Sequence, residues 1–409
     1  MAAGSWDNHK TAESRDETAK GIVHSADLPS TMNSQPSTLG GSEQLAAGGQ
    51  HENERGIIPI LGKVKTAVDR FITRNILIPD DWLLWTVPAV ATGKRICREQ
   101  GVSLLFTTAP PFTDLLVGRF LKAKTGLPWV ADYRDLWTGD VLRDWVPQWR
   151  RRSEIAMEKW ALSKADAVIA VSEPKMASLR ERLGKVPAER FFTVTNGYDP
   201  EEYAGINPVE NSNGLVRFVY TGRLFKNRRG YELIEAAGAL FKNRPELRRR
   251  FHVEYYGGVS PEIRSRLDEL ASRFDLAKQL HFFPDVPYAR SKELQVQADV
   301  LLLIVDTGET TSGVIPGKLF EYVAAGRPIL CIAAPGATSE IIERGRLGWV
   351  TEPGNVLGLS NVLESLLSNN GNGTVPFCPN REYLSQFQRR ELVGRMAEIF
   401  NKISQAHSA

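Results

Sequence analysis

The sequence has few cysteines, no long apolar run and no surplus of one charge. Its three cysteines, Cys97, Cys331 and Cys378, stand far apart, with no Cys-x-x-Cys pair and no histidine cluster beside them. That excludes a disulfide framework and a zinc site of the usual spacing, so no metal is expected and a reducing cytoplasm is the simplest compartment. The longest apolar stretches, at 300–305 and 328–334, fall far short of the ~20 residues of a membrane-spanning helix. The N-terminus, MAAGSWDNHKTAESRDETAK, carries acidic residues along its length and lacks the apolar core of a secretory signal. Lys+Arg 51 against Asp+Glu 48 leaves a formal charge of +3, too balanced for a chain built to cover a phosphate backbone, so no nucleic-acid partner is expected.

What remains is 409 residues, 42% of them hydrophobic, enough for two or three domains. Residues 1–55 are rich in Ser, Thr, Asn, Gln, Gly and acidic residues without periodicity, the composition of a disordered polar tail. Beyond them short apolar runs alternate with amphipathic ones. Strands are expected at 103–107, 129–132, 167–171 and 191–195, with helices at 111–124, 149–163 and 174–183. After the polar stretch 206–214 a second series follows, with strands at 216–221, 252–256, 280–283, 300–305 and 328–332. Such alternation predicts an α/β protein of two Rossmann-like parallel-sheet domains facing a cleft, at 56–205 and 206–380, with a closing helix in 381–409.

The richest segment is TTSGVIPGKLFEYVAAGRPIL (310–330). A strand, a small polar loop through Ser312, Gly313 and Val314, and a helix starting near Pro316 make an anion site, because free backbone N–H groups and the helix dipole converge there. Lys318 would add a point charge, and Glu321 could accept from both hydroxyls of a ribose. The plain alternative is a helix start with a surface lysine and a solvated glutamate. In YTGRLFKNRRG (220–230), Gly222 permits a tight turn after a strand, and Arg223, Lys226, Arg228 and Arg229 place cations where open α/β sheets bind ligands. Gly257, in YYGGVS, marks a similar close approach.

In the first half, ADYRDLW brings Asp132, Arg134 and Asp135 to the cleft end of a strand, either to orient sugar hydroxyls or to cap the following helix. WVPQWRRRSEIAMEKW (145–160) sets three tryptophans among basic residues. That suits peripheral contact with an anionic membrane. The expected reading is nonetheless a core-packed helix with a basic solvent face, since Glu154 and Glu158 dilute the charge. His252 and His281 fall inside strands, where satisfied core histidines are expected.

Taken together, TNGYDPEEY (195–203), YTGRLF, HFFPDVPYARSKELQVQADVLLLIV (281–305) and PGKLFEYVAAGRPIL resemble the C-terminal half of GT-B glycosyltransferases of the retaining family four, or group 1, class. TTAPPFTDLLVGRFLKAKTGLPWVADYRDLW (107–137) and ADAVIAVSEP (165–174) resemble their acceptor-side half, and the likeness runs roughly over 78–400. It implies transfer of a sugar from a nucleotide-diphosphate sugar to a glycan or lipid-linked acceptor, with retention, no cofactor and no essential metal, in polysaccharide or glycolipid assembly. By position, Arg223 and Lys226 resemble the pair on the donor diphosphate, Arg228 and Arg229 competing because the loop is one residue longer than usual. Glu321 resembles the ribose-binding glutamate that ends the family's Glu-x7-Glu motif, and Gly313 stands in place of its first glutamate. Arg134 lies near a family histidine, and with Asp135 is a catalytic candidate. The departing phosphate would serve as base.

The family's opening strand, Gly-rich turn and helix have no counterpart here; 56–80 reads as one helix and a connector, which predicts an incomplete N-terminal domain. Two alternatives follow: a nucleotide-sugar-binding partner subunit or truncated product without turnover, and a nucleotide-sugar epimerase.

Overall fold

The protein is described here by a computed structural model covering residues 75–408, apart from 141–142, 144, 185, 210–213, 226, 309–310 and 369–376. The polar tail, most of the helix expected in 56–80, and Lys226 lie outside the described residues. In the first half the chain runs α1 (Thr86–Glu99), β1 (Leu105–Ala109), α2 (Thr113–Thr125), β2 (Trp129–Tyr133), α3 (Gln148–Leu162), β3 (Ala167–Ala170), α4 (Glu173–Leu183) and β4 (Phe191–Thr193). The second half comprises β5 (Val216–Thr221), α5 (Tyr231–Asn243), β6 (Phe251–Tyr256), α6 (Pro261–Arg273), β7 (Leu280–Phe283), α7 (Tyr288–Val296), β8 (Val300–Ile304), α8 (Gly317–Ala325), β9 (Ile329–Ile332), α9 (Ala337–Arg344), β10 (Gly348–Thr351) and α10 (Val356–Ser368). It ends in α11 (Arg381–Ser385) and α12 (Arg389–Ser408).

Punctuation along the chain explains many boundaries. Gly126 and Gly326 end α2 and α8 at φ +76 and +65, a left-handed conformation that costs glycine little. Ser172 opens α4, its hydroxyl accepting from the Lys175 N–H. The strands are short apolar runs buried on both faces, as VLLLI in β8, the mark of a parallel sheet covered by helices.

Two parallel sheets result. The first has the order β1-β2-β3-β4, the second β10-β9-β8-β5-β6-β7. In the first, α2, α3 and α4 pack on one face around Trp129, Tyr133 and Trp137. The opposite face is covered by α12, whose Leu392 and Ile399 meet Val130, Ile169 and Val194. In the second, β5 pairs with both β6 and β8, so the direction of sheet growth reverses there. That reversal opens a crevice at the carboxyl ends of β5 and β8.

β1 starts two residues later than expected, because Leu105 pairs with Trp129 and its N–H donates to the Pro128 carbonyl. β10 was not expected at all: GWVT is a partly exposed four-residue edge strand with no apolar run. The α3 reading needs correction. Trp149 and Trp160 are exposed, whereas Glu154 and Glu158 are buried against arginines. His252 and His281 are also not core residues. They are half-buried, their rings 4.3 Å apart, with His252 Nε2 3.0 Å from Glu254.

Candidate active site

The crevice is built from three loops at the carboxyl ends of the second sheet. After β5, Gly222 adopts φ +131, and a Cβ there would stand 2.1 Å from Lys318 Nζ. After β6, Gly257 also lies at φ +131, where a Cβ would meet the Gly222 carbonyl oxygen at 2.3 Å. Both glycines thus serve close approach as well as unusual backbone geometry. After β8, the buried Asp306 accepts from Arg228 Nη2 at 2.5 Å, which pins the basic loop to the strand.

Lys318, in the first turn of α8, points into this space with its Nζ 4.1 Å from the centre of the Tyr220 ring. Among the described residues it has no hydrogen bond or ion pair. Burial, then the Arg228 charge, push its pKa down from 10.5 to about 7. Glu321, one turn further along the same helix face, accepts from Gln295 Nε2 at 3.0 Å through one oxygen. The buried Gln295 is itself held by the Tyr203 hydroxyl at 2.6 Å and lies 3.0 Å from Thr221 Oγ1. Glu321 is thereby aimed, its second oxygen having no hydrogen bond among the described residues.

The other basic residues divide. Arg228 is committed to Asp306, and Arg229 lies over the Tyr231 ring. Arg223 is exposed, its guanidinium 3.9 Å from Asp285.

From the first domain, Asp132 and Arg134 form a two-pronged pair, Nε to Oδ2 at 2.6 Å and Nη2 to Oδ1 at 2.7 Å. Thr108 adds a hydrogen bond to Asp132 at 2.9 Å. The pair caps no helix, since α3 begins after Pro147 without a side-chain cap. Arg134 instead reaches Asn196 Oδ1 at 3.2 Å. Asp135 is exposed and receives Lys175 Nζ at 3.0 Å.

The two sides meet. Ser172 Oγ donates to the Gly313 carbonyl at 2.7 Å, and a Cβ at Gly313 would stand 2.9 Å from Lys175 Cγ. Ser312 packs behind, its backbone against Gly336. Val314 is fixed by Thr338 Oγ1 donating to its carbonyl at 2.7 Å. Arg134, Asn196, Tyr288, Glu321 and Arg389 line one pocket of about 390 Å³ between the domains. Gly222, Gly257, Lys318 and Glu321 thus form one group, with Arg134 facing Glu321 and Asp135 set apart on Lys175. Lys175, Asn196, Gln295 and Asp306 were missed by sequence reasoning. Asn196 and Gln295 carried a signal, the one inside TNGYDPEEY and the other a polar residue just ahead of the apolar β8.

Two Rossmann-like sheets with a site in the crevice between them define a GT-B glycosyltransferase fold. Two family models match the chain, a glycosyl transferase 4-like domain over residues 66–197 and glycosyl transferases group 1 over 216–369. The chain belongs to the group 1 glycosyltransferases. Solved structures share the fold at low identity. Sucrose-phosphate synthase from Thermosynechococcus elongatus is 19% identical with a TM-score of 0.56, over 80% of each chain. HepE from Anabaena in complex with UDP is 17% identical with a TM-score of 0.60, over 77% of this chain and 82% of that one. A glycosyltransferase from Rickettsia africae is 14% identical with a TM-score of 0.56, over 85% and 92%. No curated protein matches the chain in sequence.

Proposed function

We propose that the protein transfers a sugar from a nucleotide-diphosphate sugar to an acceptor hydroxyl with retention of anomeric configuration. The observation that carries this is the pairing, on one face of α8, of an uncommitted ammonium at Lys318 with a carboxylate at Glu321 whose second oxygen has no hydrogen bond among the described residues. An amine at the α8 N-terminus suits a diphosphate, and the carboxylate one turn on suits the ribose hydroxyls. Gly222 and Gly257 let the backbone come close to the phosphates, and the exposed Arg223 closes over them. These cations meet the charge of the leaving diphosphate without a metal, the electrostatic term that dominates such transfers.

Arg134 sits across the pocket from Glu321, its orientation fixed by Asp132 and Asn196. Its role is to hold the donor sugar or its phosphate against the acceptor. The departing phosphate takes the acceptor proton, while Glu321, the pocket's carboxylate, is assigned to the ribose. HepE, solved with UDP, lends weight to a uridine donor, and a glycan or lipid-linked hydroxyl is the acceptor class.

Calorimetric titration with UDP, GDP, ADP and TDP tests the donor half. One nucleotide should bind selectively, and Glu321→Ala should weaken it at least ten-fold. Equal affinity in wild type and variant would sink the assignment. A second reading, binding without turnover, is favoured by Gly313, which leaves no carboxylate beside the donor sugar and no room for one. Donor turnover by the wild type separates the two readings.

A further inference from the structure

We propose that the outer face of α1, α2 and α3, with the turn before α1, docks on an anionic lipid surface. Leu84 and Val87 are each 77% exposed, and Trp149 and Trp160 are 50% and 44% exposed. Such large apolar side chains on one surface are a signal for interaction. They are contiguous: Leu84, Val87, Phe120, Met157 and Trp160 line one open groove, and Phe120 and Trp160 pack edge to face at 5.6 Å. On α3, residues 149, 153, 156 and 160 share a helical stripe and are all exposed.

The charge around this groove decides the partner. Exposed cations come from every helix of the face: Arg152 and Lys159 on α3, and, farther along toward the C-terminal ends of the helices, Lys94 and Arg95 on α1 and Lys124 on α2. The acidic residues of α3 do not offset them. Glu154 is buried against Arg150 and Arg143, and Glu158 accepts from Thr138 and Arg182. Among the described residues of these elements, Asp81 and Glu99 are the exposed carboxylates, and Glu99 lies 4.0 Å from Arg98. Tryptophans with apolar bodies and polar edges, ringed by arginine and lysine, match the headgroup region of an anionic bilayer. Arg119 over the Trp160 ring at 5.0 Å shows both kinds of side chain presented together.

The fold gives this face an orientation. α2 and α3 each follow a parallel strand, so their N-termini lie at the cleft end of the first sheet. The turn holding Leu84 and Trp85 is tied there, because Asp80 accepts from the Thr113 N–H at 3.0 Å. Docking would therefore lay these helices along the surface, with the cleft at their N-terminal end. That a lipid-borne acceptor would then be in reach rests on the transfer reading. The docking itself does not.

The full-length protein is sedimented with vesicles of phosphatidylcholine alone and of phosphatidylcholine with phosphatidylglycerol. It should pellet with the anionic vesicles, less with the neutral ones, and less as salt rises. Two double variants, Leu84→Glu/Val87→Glu and Arg152→Glu/Lys159→Glu, should each weaken partitioning roughly ten-fold or more, since each basic residue near such a surface contributes several-fold. All four side chains are exposed, so unfolding temperature should not move. Absence of binding to anionic vesicles, or binding that both double variants retain, overturns the proposal. So does a solution dimer that Leu84→Glu/Val87→Glu dissociates, which would make a second copy the occupant.

Discussion

The hydroxyl of Ser172 donates to the carbonyl of Gly313 across the crevice, joining the loop after β3 to the turn before α8. It is a direct tie between the two domains at the site itself. Because Gly313 has no side chain, the Lys175 stem can pack where a Cβ would lie. Restoring a glutamate, Gly313→Glu, should wedge this contact open. Transfer should fall at least ten-fold while nucleotide affinity changes only a few-fold, because the donor group on α8 is untouched. Parallel calorimetry and turnover assays check this. Ser172→Ala should be milder, costing about 1 kcal/mol, the worth of one hydrogen bond.

Lys318 makes donor binding depend on pH. With a free-state pKa of about 7, the amine is mostly protonated below neutrality and mostly neutral above it. A bound diphosphate favours the charged form, so binding takes up a proton once the pH exceeds that value. Nucleotide affinity should therefore fall as pH rises from about 6 to about 8.5, approaching ten-fold per unit at the upper end. Lys318→Met should bind weakly and lose the slope. Titrations in buffers of different ionisation enthalpy would count the proton directly.

Gly222→Ala should damage the donor site more than its size suggests. The residue sits at φ +131 and a Cβ would intrude on Lys318 Nζ. Strain in that backbone region costs roughly 1–3 kcal/mol, and the lysine must also shift. Nucleotide affinity should drop ten-fold or more with a modest fall in unfolding temperature. Unchanged binding would show that the loop relaxes without consequence.

Much of the fold was legible because buried parallel strands read as short apolar runs. β5 and β7 fall at their expected bounds, and β2, β3, β6, β8 and β9 within one residue. Edge strand β10 was not legible, since half-exposed residues carry no such run. In the site, the helix-start pattern led to Lys318 and Glu321, and a glycine after each strand to Gly222 and Gly257. What settled the other arginines was tertiary: Arg228 is occupied by Asp306, 78 residues away in sequence. Charge composition misled at α3 for the same reason, as Glu154 and Glu158 face inward to arginines that local pattern could not assign.

Asp114 supplies a stability test independent of ligand. It lies in the first turn of α2 with one carboxylate oxygen buried and without a partner among the described residues. Burial, then the charge of Asp80, push its pKa up from 3.8 to about 6. A carboxyl raised on folding favours the folded state fully at pH below its unfolded value and loses that contribution as pH rises through the folded one. Stability should therefore decline between about pH 4 and about pH 6 on this account and stay depressed at neutrality. Asp114→Asn removes the ionisation, forgoing a favourable dipole contact worth a few tenths of a kcal/mol. It should raise neutral-pH stability by roughly 1 kcal/mol once solvent screening is discounted, with little effect at about pH 4. Thermal unfolding of wild type and variant at the two pH values decides it, and an equal shift at both would assign the effect to packing rather than charge.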